Sequence, residues 1–114
     1  MRIEPGGFQS LWAFDITDHA AFTVAAAQTL EVIAAFDGFI EGHLLHNVDD
    51  HGRYVVATRW VDVGSMRRAM SSTRAKIEVW PFLAAMRDEP SVFETLASTT
   101  PAGTQHFPSS ATGA

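Results

Sequence analysis

A chain of 114 residues with a net charge of -5 and no cysteine excludes disulfide-stapled folds, thiolate metal sites, iron–sulfur clusters and thiol nucleophiles. With Arg67-Arg68 as the only basic doublet, it also lacks the clustered Lys and Arg of a nucleic-acid or anionic-membrane surface. The length fits one domain with a single modest core. The charged share of 18%, against a usual value of about 25%, leaves polar surface scarce, so a partner is expected to cover part of the exterior.

The first residues, Met1 to Gly7, hold no apolar stretch of signal-peptide length, and Gly6-Gly7 read as a linker. No run approaches the roughly 18 apolar residues of a membrane helix. A soluble cytoplasmic protein is the expectation. Phe8 to Ile16 alternates, with Phe8, Ser10, Trp12, Phe14 and Ile16 on one face and Gln9, Leu11, Ala13 and Asp15 on the other, which predicts a first strand. Thr17 and Asp18 are suited to cap a helix running from His19 to Phe36. Its core stripe is Phe22, Ala26, Leu30, Ile33 and Phe36. Asp37-Gly38 closes it, Gly38 being free to take the left-handed conformation after the last turn.

Phe39 to Val48 and Arg53 to Val61 then read as two antiparallel strands across the turn Asp49-Asp50-His51-Gly52, whose residues supply Asx and positive-φ chemistry. Asp62 caps a short helix to Met70 with Met66, Ala69 and Met70 turned inward. A second helical piece runs through Ile77, Trp80, Leu83, Ala84 and Met86, with a break or a new start at Pro81. Glu89-Pro90 stops it before a fourth strand, Ser91 to Leu96. The remainder, Ala97 to Ala114, is Ser, Thr, Pro, Gly and Ala with Phe107 as its one anchor, and reads as an arm or a disordered tail. Residues 1–97 are thus a single domain and 98–114 an appended arm.

The order β, α, β, β, α, β is the split pattern of an α+β, ferredoxin-like antiparallel sheet with its helices on one face. Val55, Ala57, Ile40, Leu44, Leu11 and Ala13 make both sheet faces apolar. The bare face is therefore expected to meet a second copy, giving a homodimer.

Among the five histidines, His43 and His46 are three apart on a strand, so they point to opposite faces and cannot chelate one metal. One of them remains a candidate base. His19, His51 and His106 read as solvated. No nucleophile elbow, phosphate loop or zinc-protease motif is present. What stands out is aromatic: Trp12, Phe14, Tyr54, Trp60 and Trp80, with Met66, Met70 and Met86, either fill the core or wall a pocket for a flat apolar ligand.

Gly38-Phe39, Leu44-Leu45, Asp49-Asp50-x-Gly52, Tyr54-Val55-Val56 leading to Arg59-Trp60, and Arg67-Arg68-Ala69-Met70 together resemble the antibiotic biosynthesis monooxygenase family. The likeness covers roughly Trp12 to Leu96 and is greatest to the cofactor-independent anthrone oxygenases of aromatic polyketide pathways. It implies a dimeric α+β barrel with one pocket per subunit between sheet and helices, a small aromatic substrate, O2 as co-substrate and no cofactor. Trp60 matches the family's tryptophan at the end of the third strand, placed near substrate. With His43 or His46 as base, Trp60 makes up the implied catalytic set; Trp12, Phe14, Tyr54, Val56, Thr58, Met66, Met70 and Trp80 make up the substrate-binding set. Departures are visible too: Val56 and Trp12 stand where some members carry asparagine, Met66 where they carry tyrosine, and Trp80 near an arginine. The iron-ligating histidine of the heme-degrading branch would fall near Val79 or Trp80, neither of which can replace it.

Overall fold

The computed structural model describes residues 7–109; the N-terminal residues 1–6, including Gly6 of the linker, and the end of the arm, 110–114, lie outside them. Ten elements follow in order: β1 (Phe8–Asp15), α1 (His19–Ile33), β2 (Phe39–His46), β3 (Arg53–Trp60), α2 (Val63–Met70), α3 (Thr73–Glu78), α4 (Trp80–Leu83), β4 (Val92–Glu94), β5 (Ala97–Thr100) and β6 (Gly103–His106). The first four strands to pair form one antiparallel sheet in the order β2-β3-β1-β4. This is the expected ferredoxin-like α+β arrangement.

Register decides the faces. β1 opposes β3 with Ser10 on Thr58, Trp12 on Val56 and Phe14 on Tyr54, and β2 opposes β3 with Gly42 on Thr58, Leu44 on Val56 and His46 on Tyr54. Since side chains alternate across a strand, Tyr54, Val56, Thr58 and Trp60 share one face, and all four are buried. That face carries the core with Phe22, Ala26 and Ile33 of α1, Met66, Ala69 and Met70 of α2, and Ala75, Val79 and Leu83 of the α3–α4 segment. Leu44 belongs to this face, whereas Ile40 sits at the irregularity between Phe39 and Glu41 and is exposed.

Both helix starts foreseen in the sequence are capped by aspartate: Asp18 accepts from the Ala21 N–H at 3.1 Å and Asp62 from the Ser65 N–H at 2.7 Å. These bonds satisfy backbone donors that a helix leaves unpaired. The Asp62 carboxyl is held below its ordinary value, first by the Ser65 backbone N–H and then by the Ser65 hydroxyl. α1 ends three residues before Phe36, because Ala35 and Phe36 turn to tighter bonds with Val32 and Ile33. Gly38 follows at φ +88, where a Cβ would stand 2.3 Å from the Ser65 Cβ.

Three expectations are corrected. The second helical piece is two helices, α3 capped by Ser72 and α4 with proline in its first turn. This break rephases the stripe onto Ala75, Val79 and Leu83, leaving Ile77 and Trp80 exposed. The fourth strand is three residues long rather than six. Within the arm, β5 and β6 pair as a hairpin across Pro101-Ala102, joined also by the Thr99 and Thr104 hydroxyls at 2.8 Å. Its base is fastened by the Phe107 N–H on the Leu96 carbonyl.

Candidate functional site

The helix-side interior is aromatic, as the composition of β1 and β3 implies, and the rings close on one another. Phe14 lies 5.0 Å from Phe22 and 5.0 Å from Phe82, and Phe22 lies 4.9 Å from Tyr54. Phe39 meets Trp60 edge-on at 5.5 Å. Centroid spacings of this kind are the normal packing of aromatic cores. In this conformation Trp12, Phe14, Tyr54, Val56, Met66 and Met70 are core residues.

Two polar stations flank that interior, one at its solvent edge, where His46 is exposed like His19 and His51, and one buried. At one end, Tyr54, the only tyrosine in the chain, is hydrogen-bonded through its hydroxyl to His19 Nδ1 at 2.8 Å. The His46 ring lies parallel to the Tyr54 ring at 4.2 Å. His46 Nε2 is 2.8 Å from the His51 carbonyl oxygen. A carbonyl only accepts, so Nε2 carries the hydrogen and the neutral ring keeps its lone pair on Nδ1. His19 and His51 are exposed, as expected, but each takes part in this cluster. At the other end, Trp60 donates its indole N–H to Thr58 Oγ1 at 2.8 Å, and Thr58 Oγ1 is hydrogen-bonded to Ser10 Oγ across the β1–β3 pair. Ser10 and Trp60 are 0% exposed and Thr58 2%.

The bare face holds the other partner of the histidine pair. His43 pairs opposite Ala57 and points away from the interior, with Nε2 3.9 Å from Glu41. Glu41 in turn accepts from Arg59 Nε at 3.0 Å. These residues, with Gln9, Ser98 and Thr100, border a polar cavity of about 400 Å³ between the sheet and the β5–β6 hairpin. Leu11, Leu45 and Phe93 are exposed on the same face. Among the described residues no three His, Asp or Glu side chains are grouped to hold a metal ion, and no helix is long and apolar enough to cross a membrane.

Compared with protein-family models, residues 16–76, more than half of the chain, match antibiotic biosynthesis monooxygenase. The chain belongs to that family. Among solved structures, SnoaB, a cofactor-independent oxygenase from Streptomyces nogalater, superposes with a TM-score of 0.69 at 26% identity. The match covers 82% of this chain and 96% of SnoaB. A point variant of SnoaB gives 0.71 at 25% identity over the same shares. A conserved protein from Methanosarcina mazei Go1 shares the fold at 14% identity, with a TM-score of 0.62 over 78% of this chain and 90% of its own. No curated protein matches the chain.

Set against the residues the family likeness implied, the structure separates His43 from the rest and places His46 with Tyr54. It sets Trp80 at the rim, 43% exposed, with its indole N–H donated to the Met70 carbonyl at 2.7 Å, so Trp80 is no inner wall of the aromatic interior. The N–H of Trp60, the tryptophan the likeness places near substrate, is taken by Thr58. Ser10 went unselected because a serine on a strand carries no signal alone; its burial follows from the register that brings it onto Thr58. His19 went unselected because a helix start normally faces water, and only the meeting of α1 with β3 puts it on Tyr54.

Proposed function

We propose that this protein is a cofactor-independent monooxygenase that oxidises a polycyclic aromatic polyketide of the anthrone type to a quinone with O2, and that it works as a homodimer. The observation that carries the reading is the likeness to the cofactor-independent oxygenase SnoaB, which spans 96% of that chain at 26% identity.

The chemistry asks for few protein groups. An anthrone C–H is acidic because its anion spreads into the rings and onto the carbonyl oxygen. Proton loss gives an electron-rich anion that reduces O2, and the resulting peroxide loses water. One oxygen atom ends in the quinone and the other in water, so no external reductant is required. The protein's part is to align the ring system, take the proton and keep bulk water out. His46 suits proton removal: it shares the Tyr54 face, and its bond to the His51 carbonyl leaves Nδ1 free to accept. Trp12, Phe14 and Val56 offer a flat apolar wall, and Met66 and Met70, whose flexible thioether side chains repack easily, are the residues a ring system would displace on entering.

The exposed apolar side chains of Leu11, Leu45 and Phe93 on the bare face support the homodimer, since sheet-on-sheet packing would cover them. A second reading, oxygen-independent cyclisation or non-catalytic binding of an aromatic ligand, is favoured by the spent Trp60 N–H, because such a protein needs no donor for a peroxide. Incubation with 1,8-dihydroxyanthrone, followed by quinone absorbance and O2 uptake, tests the oxygenase. One O2 consumed per quinone at an enzyme-dependent rate is expected; no rate above the spontaneous one overturns the assignment, and quenching of tryptophan fluorescence by the anthrone without turnover turns it to ligand binding.

A further inference from the structure

The buried chain Trp60–Thr58–Ser10 holds one more donor hydrogen than it has hydrogen bonds. Three hydrogens enter it: the indole N–H and two hydroxyls. Two hydrogen bonds use them, Trp60 Nε1 to Thr58 Oγ1 and the bond between the Thr58 and Ser10 hydroxyls. The indole can only donate, so Thr58 accepts there. In the second bond one hydroxyl gives and the other receives. If Thr58 gives, the Ser10 hydrogen is unspent; if Ser10 gives, the Thr58 hydrogen is. Among the described residues neither hydroxyl has a further partner.

An unspent donor is ordinary at a surface, where water accepts from it, but both residues here are at least 98% buried. Buried donors are normally paired. The donor also lies on the helix-side face, where Ser10 precedes Trp12 and Phe14 along β1 and Thr58 follows Val56 and Tyr54 along β3. Thr58 is four residues from Tyr54, about 13 Å along the strand, and His46 stacks on Tyr54. Donor and base thus stand at opposite ends of one apolar wall.

We propose that the Ser10–Thr58 hydroxyl pair is the binding site for the carbonyl oxygen of the aromatic ligand, with Trp60 as the residue that holds and polarises it. This rests on the aromatic-ketone reading above and deepens it. No proton is transferred at the oxygen: the hydroxyl donates a hydrogen bond to the ketone and, as the C–H proton moves to His46, the same bond strengthens to the enolate oxygen. A donor fixed in advance at the atom where charge develops favours the transition state over the ground state. The indole N–H behind it polarises the Thr58 hydroxyl in the same direction.

The test compares two water-soluble probes on the same ring frame, anthraquinone-2-sulfonate, which has carbonyls, and anthracene-2-sulfonate, which has none. Binding is followed by tryptophan fluorescence, and the indole N–H signals by NMR in the ¹⁵N-labelled full chain. The wild type is expected to prefer the quinone and to shift one indole signal with it alone. Ser10→Ala is expected to weaken quinone binding about fivefold to tenfold and leave anthracene binding unchanged. Equal loss for both probes, or no loss for either, overturns the site. Failure of the wild type to bind either probe overturns the aromatic-ligand reading itself, which is a different result. Thermal unfolding establishes that the variant is folded; Ser10→Cys, similar in size with a weaker donor, carries the same comparison if it is not.

Discussion

Replacing Thr58 by valine separates two accounts of the interior, because they predict opposite signs. The swap conserves shape, so it opens no cavity. On apolar burial alone it should stabilise by about 1 kcal/mol, the gain of exchanging a buried hydroxyl for a methyl. The hydrogen-bond chain says otherwise. Valine leaves the Trp60 N–H, 0% exposed, with no acceptor, at a cost of about 1–3 kcal/mol, and takes from Ser10 its partner, for about 1 kcal/mol more. The net expectation is a loss of about 2 kcal/mol. For 114 residues the unfolding entropy is about 240 cal/mol/K, so Tm should fall by about 8 °C. Circular dichroism melts of the two proteins side by side measure it, with the denaturant midpoint as a second reading. An unchanged or higher Tm would refute the claim that the chain holds these three residues together.

Three further outcomes are expected. Asp62→Ala should cost about 1 kcal/mol through loss of the α2 cap. Because the folded carboxyl binds its proton less readily than the unfolded one, the unfolded state takes up more protons in acid. The difference between wild type and variant should therefore be full above the unfolded value of about 3.9 and shrink as pH falls through the lower folded value. Urea melts from pH 7 down to pH 2.5 check this, and a gap that widens in acid would contradict it. Gly38→Ala should cost about 2 kcal/mol or more, since alanine at φ +88 is strained and its Cβ would meet the Ser65 side chain; a loss under about 0.5 kcal/mol would show that the turn relaxes. Light scattering at micromolar concentration should give twice the chain's mass of 12.4 kDa, and a monomeric mass would remove the homodimer.

The sheet was legible in the sequence wherever one residue type or one period decided the matter. Period-two alternation fixed β1 and β3, and the same geometry separated His43 from His46. The caps at Asp18 and Asp62 are local chemistry and could be read locally. Phase was harder. Pro81 sits within a continuous apolar spacing, so the local pattern runs through Ile77 and Trp80, whereas Ser72 and Val79 start new helices and turn Ala75, Val79 and Leu83 inward. The β5–β6 hairpin was missed because its strands hold few apolar residues; β-branched threonines around Pro101-Ala102-Gly103 were the available sign. The site was legible as a set of side chains and illegible as a set of bonds. That the Trp60 N–H points inward to Thr58, and that Ser10 lies across from it, depends on pairing between strands some 48 positions apart, which no local pattern encodes.

The β5–β6 hairpin has a thermodynamic signature of its own. All of its strand residues are exposed, so opening it in a single protomer uncovers almost no new surface. Denaturant sensitivity and heat capacity of unfolding both follow surface newly exposed, and hydrogen exchange resolves such local openings from the global one. The amides of β5 and β6 should therefore exchange quickly and at a rate nearly independent of low urea. Those of β1 and β3, which open only with the whole sheet, should show the full urea dependence. A partner that packed against the hairpin would convert the first behaviour into the second, making these few amides a direct reporter of association.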